Sequence, residues 1–202
     1  MPTATFKKLA KDKQQRVIKA AIKEFSRAPL NEASVANIIT DANIPRGSFY
    51  QYFKDKEELF YYIFEMHSND IKKRLTLLLM NHKGDIFKTF IDLYKYIIEK
   101  INKPENDFYF KNIFLNMSYN IEKKFTPNLE DNLNEIINLI DISKLNIVSK
   151  LQLIYIVDIM EAILIRNIIQ SYKRNVSKEK NIEIFIREIT LICEGVLKKE
   201  IN

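Results

Sequence analysis

Glycine is nearly absent from this chain, with 3 in 202 residues, alongside 5 prolines, 1 cysteine, 2 histidines and no tryptophan. Each scarcity excludes something. Gly47, Gly84 and Gly195 lie too far apart for a phosphate-cradling loop or a dinucleotide fingerprint. The single cysteine, Cys193, allows neither an intrachain disulfide nor a cysteine metal cluster. It shares an apolar helical face with Ile189, Ile192 and Val196, which makes it a packing residue. His67 and His82 sit about 22 Å apart if both lie on one helix, so they cannot chelate one ion within a chain. No Ser–His–Asp constellation or carboxylate pair stands out. No cofactor, metal or catalytic residue is expected, and an enzyme is the least supported class. Long uninterrupted apolar runs are missing too. The longest, Leu151 to Ile169, is broken by Asp158, Glu161 and Arg166, which argues against a membrane span. The first residues lack the apolar stretch of a signal peptide. A cytoplasmic location is therefore expected.

What is present is helical pattern. Residues of the AVILMFWYC set make up 47% of the chain, enough for a core. Few turn residues with long periodic apolar segments predict an all-α fold. Helices are expected over about 11–26, from Ser34, across the segment after Pro45, from Asp55 toward Met80, and over 86–101. Further helices are expected over 106–125, 129–140, 150–174 and 179–199. Ser34 is a suitable N-cap, its hydroxyl placed to accept a backbone N–H. Asn43 tolerates the left-handed conformation where that helix must stop. Pro45 suits the first turn of the next. That next helix is short and carries Arg46, Gly47, Ser48, Tyr50, Gln51 and Tyr52, with Phe49 and Phe53 to anchor its other face. A short helix pinned by aromatics and presented by a preceding helix is what enters a DNA major groove.

Charge follows the same segment. Residues 1–56 hold 11 Lys/Arg and 5 Asp/Glu (11 − 5 = +6), while the rest holds 21 of each (32 − 11 and 26 − 5). The whole formal net charge of +6 thus lies beside the helix-turn-helix pattern and fits a polyanionic partner.

In these residues the chain resembles the DNA-binding domain of TetR-family bacterial transcription regulators. Ser34, Ile38, Ala42, Ile44, Gly47, Phe49, Tyr50, Tyr52, Phe53, Lys56 and Leu59 fall on the family pattern in register. Ile39, Asn43 and Pro45 depart from its usual alanine, glycine and serine or threonine. The resemblance covers roughly the first quarter of the chain. It implies an N-terminal three-helix DNA-binding domain, residues 1–56, and a C-terminal helical domain, residues 57–202, for effector binding and dimerisation. In the family, positions matching Ser34, Arg46, Ser48, Tyr50, Tyr52 and Lys56 are the usual DNA contacts. From the residue chemistry, Arg46 is the best base reader, Gln51 can read adenine and Ser48 either base. Tyr50 and Tyr52 donate to phosphate, Gly47 lets the backbone approach, and Lys54 and Lys56 suit phosphate as well. Pro45 completes the expected contact segment.

The segments 150–174 and 182–197 are apolar around well over half their circumference, and such helices need cover on two sides. The simplest cover is the same pair in a second copy, and the resemblance implies a dimer through the last two helices. Such a dimer would read double-stranded DNA carrying an inverted repeat. The resemblance also implies an effector pocket in the aromatic-rich middle of the chain, with Tyr62, Met66, His67, Phe90, Tyr94, Phe110, Phe114 and Met117 as candidate lining. The expected function is a dimeric repressor released from its operator by a lipophilic or aromatic small molecule. The alternative is a DNA-binding architectural or partner-regulating protein without a small effector, which a filled core in that region would favour.

Overall fold

A computed structural model describes residues 2–102, 136–174 and 176–196. These residues form two compact units. The first takes in the chain as far as Asp70, joined by Ile101, and the second begins at Ile71, runs to Lys100 and includes the described residues from 136 onward.

The first unit opens with a short turn of helix the sequence did not announce, α1 (Ala4–Lys7). Thr3 caps it, accepting from Phe6 N, and also donates its hydroxyl to Gln51 O at 2.6 Å. Its backbone N–H reaches Tyr52 O at 3.0 Å. Then come α2 (Lys11–Arg27), α3 (Val35–Ala42) and α4 (Arg46–Tyr52). Val17, Ala20, Ala21 and Phe25 of α2 are buried, as are Ile38 and Ala42 of α3. The α3 helix stops where expected, at Asn43, with φ 51° and ψ 57°. There Ile44 N returns to Ile39 O at 3.1 Å, closing the last turn as left-handed caps do.

Two capping expectations are corrected. Pro45 is the residue before α4, in extended backbone, and Arg46 is the first helical residue. The Ser34 hydroxyl makes no capping bond to α3. The fifth helix, α5 (Lys56–Asn81), starts as the sequence implies. Asp55 Oδ1 accepts from Glu58 N and Glu58 Oε2 accepts from Lys54 N, both at 2.7 Å. The helix runs without interruption from the first unit into the second.

In the second unit, α5 ends at Asn81 and the chain turns through Lys83 and Gly84, both with positive φ. The α6 helix (Ile86–Ile101) has the expected bounds, and Asp85 Oδ1 caps it by accepting from Lys88 N at 3.0 Å. A single 3₁₀ turn (Ile142–Lys144) precedes α7 (Lys150–Lys173) and α8 (Lys178–Val196). Tyr94 of α6 stacks on Phe185 of α8 with ring centroids 4.0 Å apart. A buried Asn167 on α7 donates to Glu188 Oε2 of α8 at 2.6 Å, and Arg166 meets the same carboxylate at 2.8 Å. The expected helix 106–125, and all but the last residues of 129–140, lie outside the described residues. No helix among the described residues is long and apolar enough to cross a membrane.

Candidate nucleic-acid interface

The short helix α4 has one buried face and one open face, and the division follows from its sequence. Phe49 is fully buried and Tyr52 and the following Phe53 are 3% and 0% exposed. Phe49 and Phe53 lie 6.1 Å apart by ring centroid, and Phe6 of α1 sits 4.6 Å from Phe53 and 5.8 Å from Tyr52. This aromatic anchor fixes the helix, leaving Pro45, Arg46, Gly47, Tyr50 and Gln51 exposed and Ser48 half-buried. Tyr50, 48% exposed, stands edge-on to Phe49 at 5.3 Å. Lys54 follows in solvent. Arginine, tyrosine and glutamine side chains on this open face, with Ser48 at its edge and Lys54 just beyond the helix, supply the donors that base edges and phosphates accept.

Three expected contacts look different in the structure. Tyr52 is a core ring of this unit, so the expectation that its hydroxyl reaches phosphate is revised. Lys56 is half-buried, and its ammonium donates to the carbonyls of Asn31 at 2.8 Å and Ala33 at 2.9 Å. Ser34, half-buried, is held through its backbone: its N–H donates to Glu24 Oε1 at 2.7 Å.

Glu24 is a residue that sequence reasoning missed. Only 4% exposed, it accepts bidentately from Arg27 (Nε 2.9 Å, Nη2 2.6 Å) and from Asn37 Nδ2 at 3.0 Å. The Arg27 hydrogen bonds, joined by those from Ser34 and Asn37, overcome burial and hold its carboxyl down at about 2. A second tie from α2 to α3 is the ion pair of Lys23 with Asp41 at 2.8 Å.

The candidate effector residues divide. Tyr62 belongs to the first unit, its ring 5.7 Å from Phe6 and 6.0 Å from Phe53, so it is part of the aromatic anchor of α4. Met66 is 42% exposed and His67 half-buried, both on α5. In the second unit Phe90 and Tyr94 are buried. The Tyr94 hydroxyl finds no hydrogen-bond partner among the described residues, and burial pushes it up to about 12. Phe110, Phe114 and Met117 lie outside the described residues. His82 pairs with Asp92 at 2.9 Å, and among the described residues no His, Cys, Asp and Glu are grouped to hold a metal.

An anchored short helix presented by α3 across a left-handed turn defines the helix-turn-helix class of DNA-binding proteins. Comparison with known proteins carries this further. The family described as "Bacterial regulatory proteins, tetR family" matches residues 17–63, and "Tetracyclin repressor-like, C-terminal domain" matches residues 85–196. The chain belongs to the TetR family of bacterial transcriptional regulators. It is 38% identical over 71 residues to the uncharacterized HTH-type transcriptional regulator YdgC of Bacillus subtilis, covering 35% of this chain and 36% of that protein. It is 32% identical over 65 residues to the HTH-type transcriptional regulator AcrR of Shigella flexneri, covering 32% of this chain and 30% of that one. The matched stretch thus spans about a third of the length of either relative. The crystal structure of a TetR family transcriptional regulator from Chloroflexus aurantiacus shares the fold, with TM-score 0.60 at 18% identity over 98% of this chain and all of that one.

Proposed function

We propose that the chain is a dimeric repressor that binds an inverted-repeat operator in double-stranded DNA and acts in the cytoplasm. Residues 1–56 form the DNA-binding domain and 57–202 the effector-binding and dimerisation domain. The observation that carries this reading is the division of α4, with Phe49 and Tyr52 buried while Arg46, Gly47, Tyr50 and Gln51 face outward. Arg46 reads guanine, Gln51 and Ser48 contribute base contacts, and Tyr50 and Lys54 donate to phosphate. The charge of the first 56 residues brings the domain to the polyanion.

Dimerisation runs through α7 and α8. Leu151, Tyr155 and Ile159 recur every four residues along α7 and are 54%, 55% and 51% exposed, and Leu191 of α8 is 70% exposed. An apolar stripe of this kind on a long helix calls for a partner surface.

A lipophilic or aromatic effector that prefers the DNA-incompetent state would release the operator by shifting populations. The second reading, a regulator without a small effector, has an observation in its favour: Phe90 is buried and Tyr94 stacks directly on Phe185, as in a filled core. Selecting duplexes from a random-sequence pool tests the DNA reading. Enrichment of an inverted repeat supports it, and retention of no duplex at low salt refutes it. Screening flat lipophilic compounds for release of the selected duplex separates the two readings.

A further inference from the structure

The seven residues between α2 and α3 are gripped from both sides, by groups whose role the family match does not specify. From α2, Glu24 Oε1 accepts the backbone N–H of Ser34 at 2.7 Å, while Oε2 accepts from the side-chain amide of Asn37 in the first turn of α3. From the first residue of α5, the Lys56 ammonium donates to Asn31 O and Ala33 O. Between these grips the segment turns back on itself, with Glu32 N and Ala33 N both donating to Pro29 O at 2.9 Å. The N-terminus of α3 has unsatisfied N–H groups, and its own N-cap hydroxyl does not serve them. Glu24 serves one of these groups, the N–H of Ser34, from a neighbouring helix, and its negative charge lies at the favourable end of the α3 dipole.

We infer that Glu24 and Lys56 are positioning residues for DNA reading: together they fix the entry of α3 and, through the Asn43 turn, the aim of α4. For Lys56 this differs from a phosphate contact. Two of its three ammonium protons are already spent on loop carbonyls. Lys56 also opens the helix that continues into the second unit, so a shift of that helix's start would pull on the loop before α3. The inference rests on the DNA-binding reading above.

The test compares Glu24→Gln and Lys56→Met in the full chain, on a duplex selected by the wild-type protein from a random pool. Glu24→Gln preserves shape but turns an amide donor toward Arg27 or Asn37. Lys56→Met retains an apolar stem and loses the ammonium. Circular dichroism and thermal melts establish that each variant is folded at the assay temperature. Should Glu24→Gln fail to fold, Lys56→Met carries the test alone, since its side chain is only half-buried.

The expected result is binding about tenfold weaker for each folded variant, with the salt dependence of binding unchanged from wild type. The double variant should lose less than the product of the two, because both act on one segment. A lost phosphate contact would instead flatten the salt slope by about one per protomer. That flattening in Lys56→Met overturns the inference, as does wild-type affinity in a folded variant with a lowered melting temperature. If the wild-type chain itself binds no duplex, the DNA reading falls and the inference falls with it.

Discussion

Phe6 stands edge-on to Tyr62, with ring centroids 5.7 Å apart and planes at 86°. A residue near the start of the chain thereby packs on the first turns of α5 while also touching Phe53 behind the exposed helix α4. Phe6 is fully buried. Truncating it to alanine should destabilise the first unit by about 3–5 kcal/mol, the usual loss for a buried phenylalanine. Denaturant unfolding measures this, and a loss below about 1 kcal/mol would show that the anchor does not depend on α1.

That contact also marks the limit of what the sequence revealed. Signals confined to a few neighbouring residues were legible. Asn43 ends α3 in the left-handed conformation, and α6 keeps the bounds its apolar period implies. The open face of α4 was readable from the spacing of Phe49 and Phe53. The four-residue helix α1 has no period to read, and its place depends on Thr3 reaching the distant Gln51 and Tyr52. Glu24 looks like one more charged residue on a basic helix until α3 is brought alongside. Tyr52 and Tyr62 illustrate the converse. The chemistry of Tyr52 suggested a phosphate contact and the family resemblance implied an effector contact for Tyr62, and packing around Phe6 placed both in the aromatic anchor.

Gly47 and Gly84 should respond oppositely to alanine. Gly47 sits in a helix with open space around a built Cβ, so Gly47→Ala should stabilise the fold by about 0.5–1 kcal/mol. If DNA backbone approaches there, the same methyl weakens operator binding. Gly84 has φ +77°, and a Cβ would collide with Asp141 N and lie 2.7 Å from Leu139 O. Gly84→Ala should cost about 1–3 kcal/mol. Thermal melts and binding isotherms on the two variants give both answers.

Two carboxyls give the fold opposite responses to pH. Glu24 is held at about 2 against an ordinary 4.5, so its contribution is complete above 4.5 and disappears as pH falls toward 2. Glu161, on α7, is pushed the other way, to about 7, by burial and by the charge of Asp158. The folded chain keeps its proton between about 4.5 and 7 while the unfolded chain releases it, so stability declines as pH rises through that window. Glu161→Gln should flatten that decline, and Glu24→Gln should flatten the acid limb. Urea midpoints measured from pH 3 to pH 8 read both slopes; an unchanged profile in either variant contradicts the assignment.

The exposed stripe on α7 predicts the oligomeric state. Placing a charge at its centre, Ile159→Glu, should convert dimers to monomers without unfolding the chain, because Ile159 is 51% exposed. Sedimentation of wild type and variant decides it. Equal masses for the two would move the interface elsewhere.

The most direct measurement of the central claim is a site-selection profile for wild type, Tyr50→Phe and Arg46→Ala side by side. Arg46 and Tyr50 both lie on the open face of α4, yet the account gives them different work. Wild type should enrich an inverted repeat. Tyr50→Phe should weaken binding to every sequence alike, and Arg46→Ala should bind with relaxed preference at one position in each half-site. An Arg46→Ala profile identical to wild type would contradict base reading by α4, and the absence of any retained duplex would contradict DNA binding altogether.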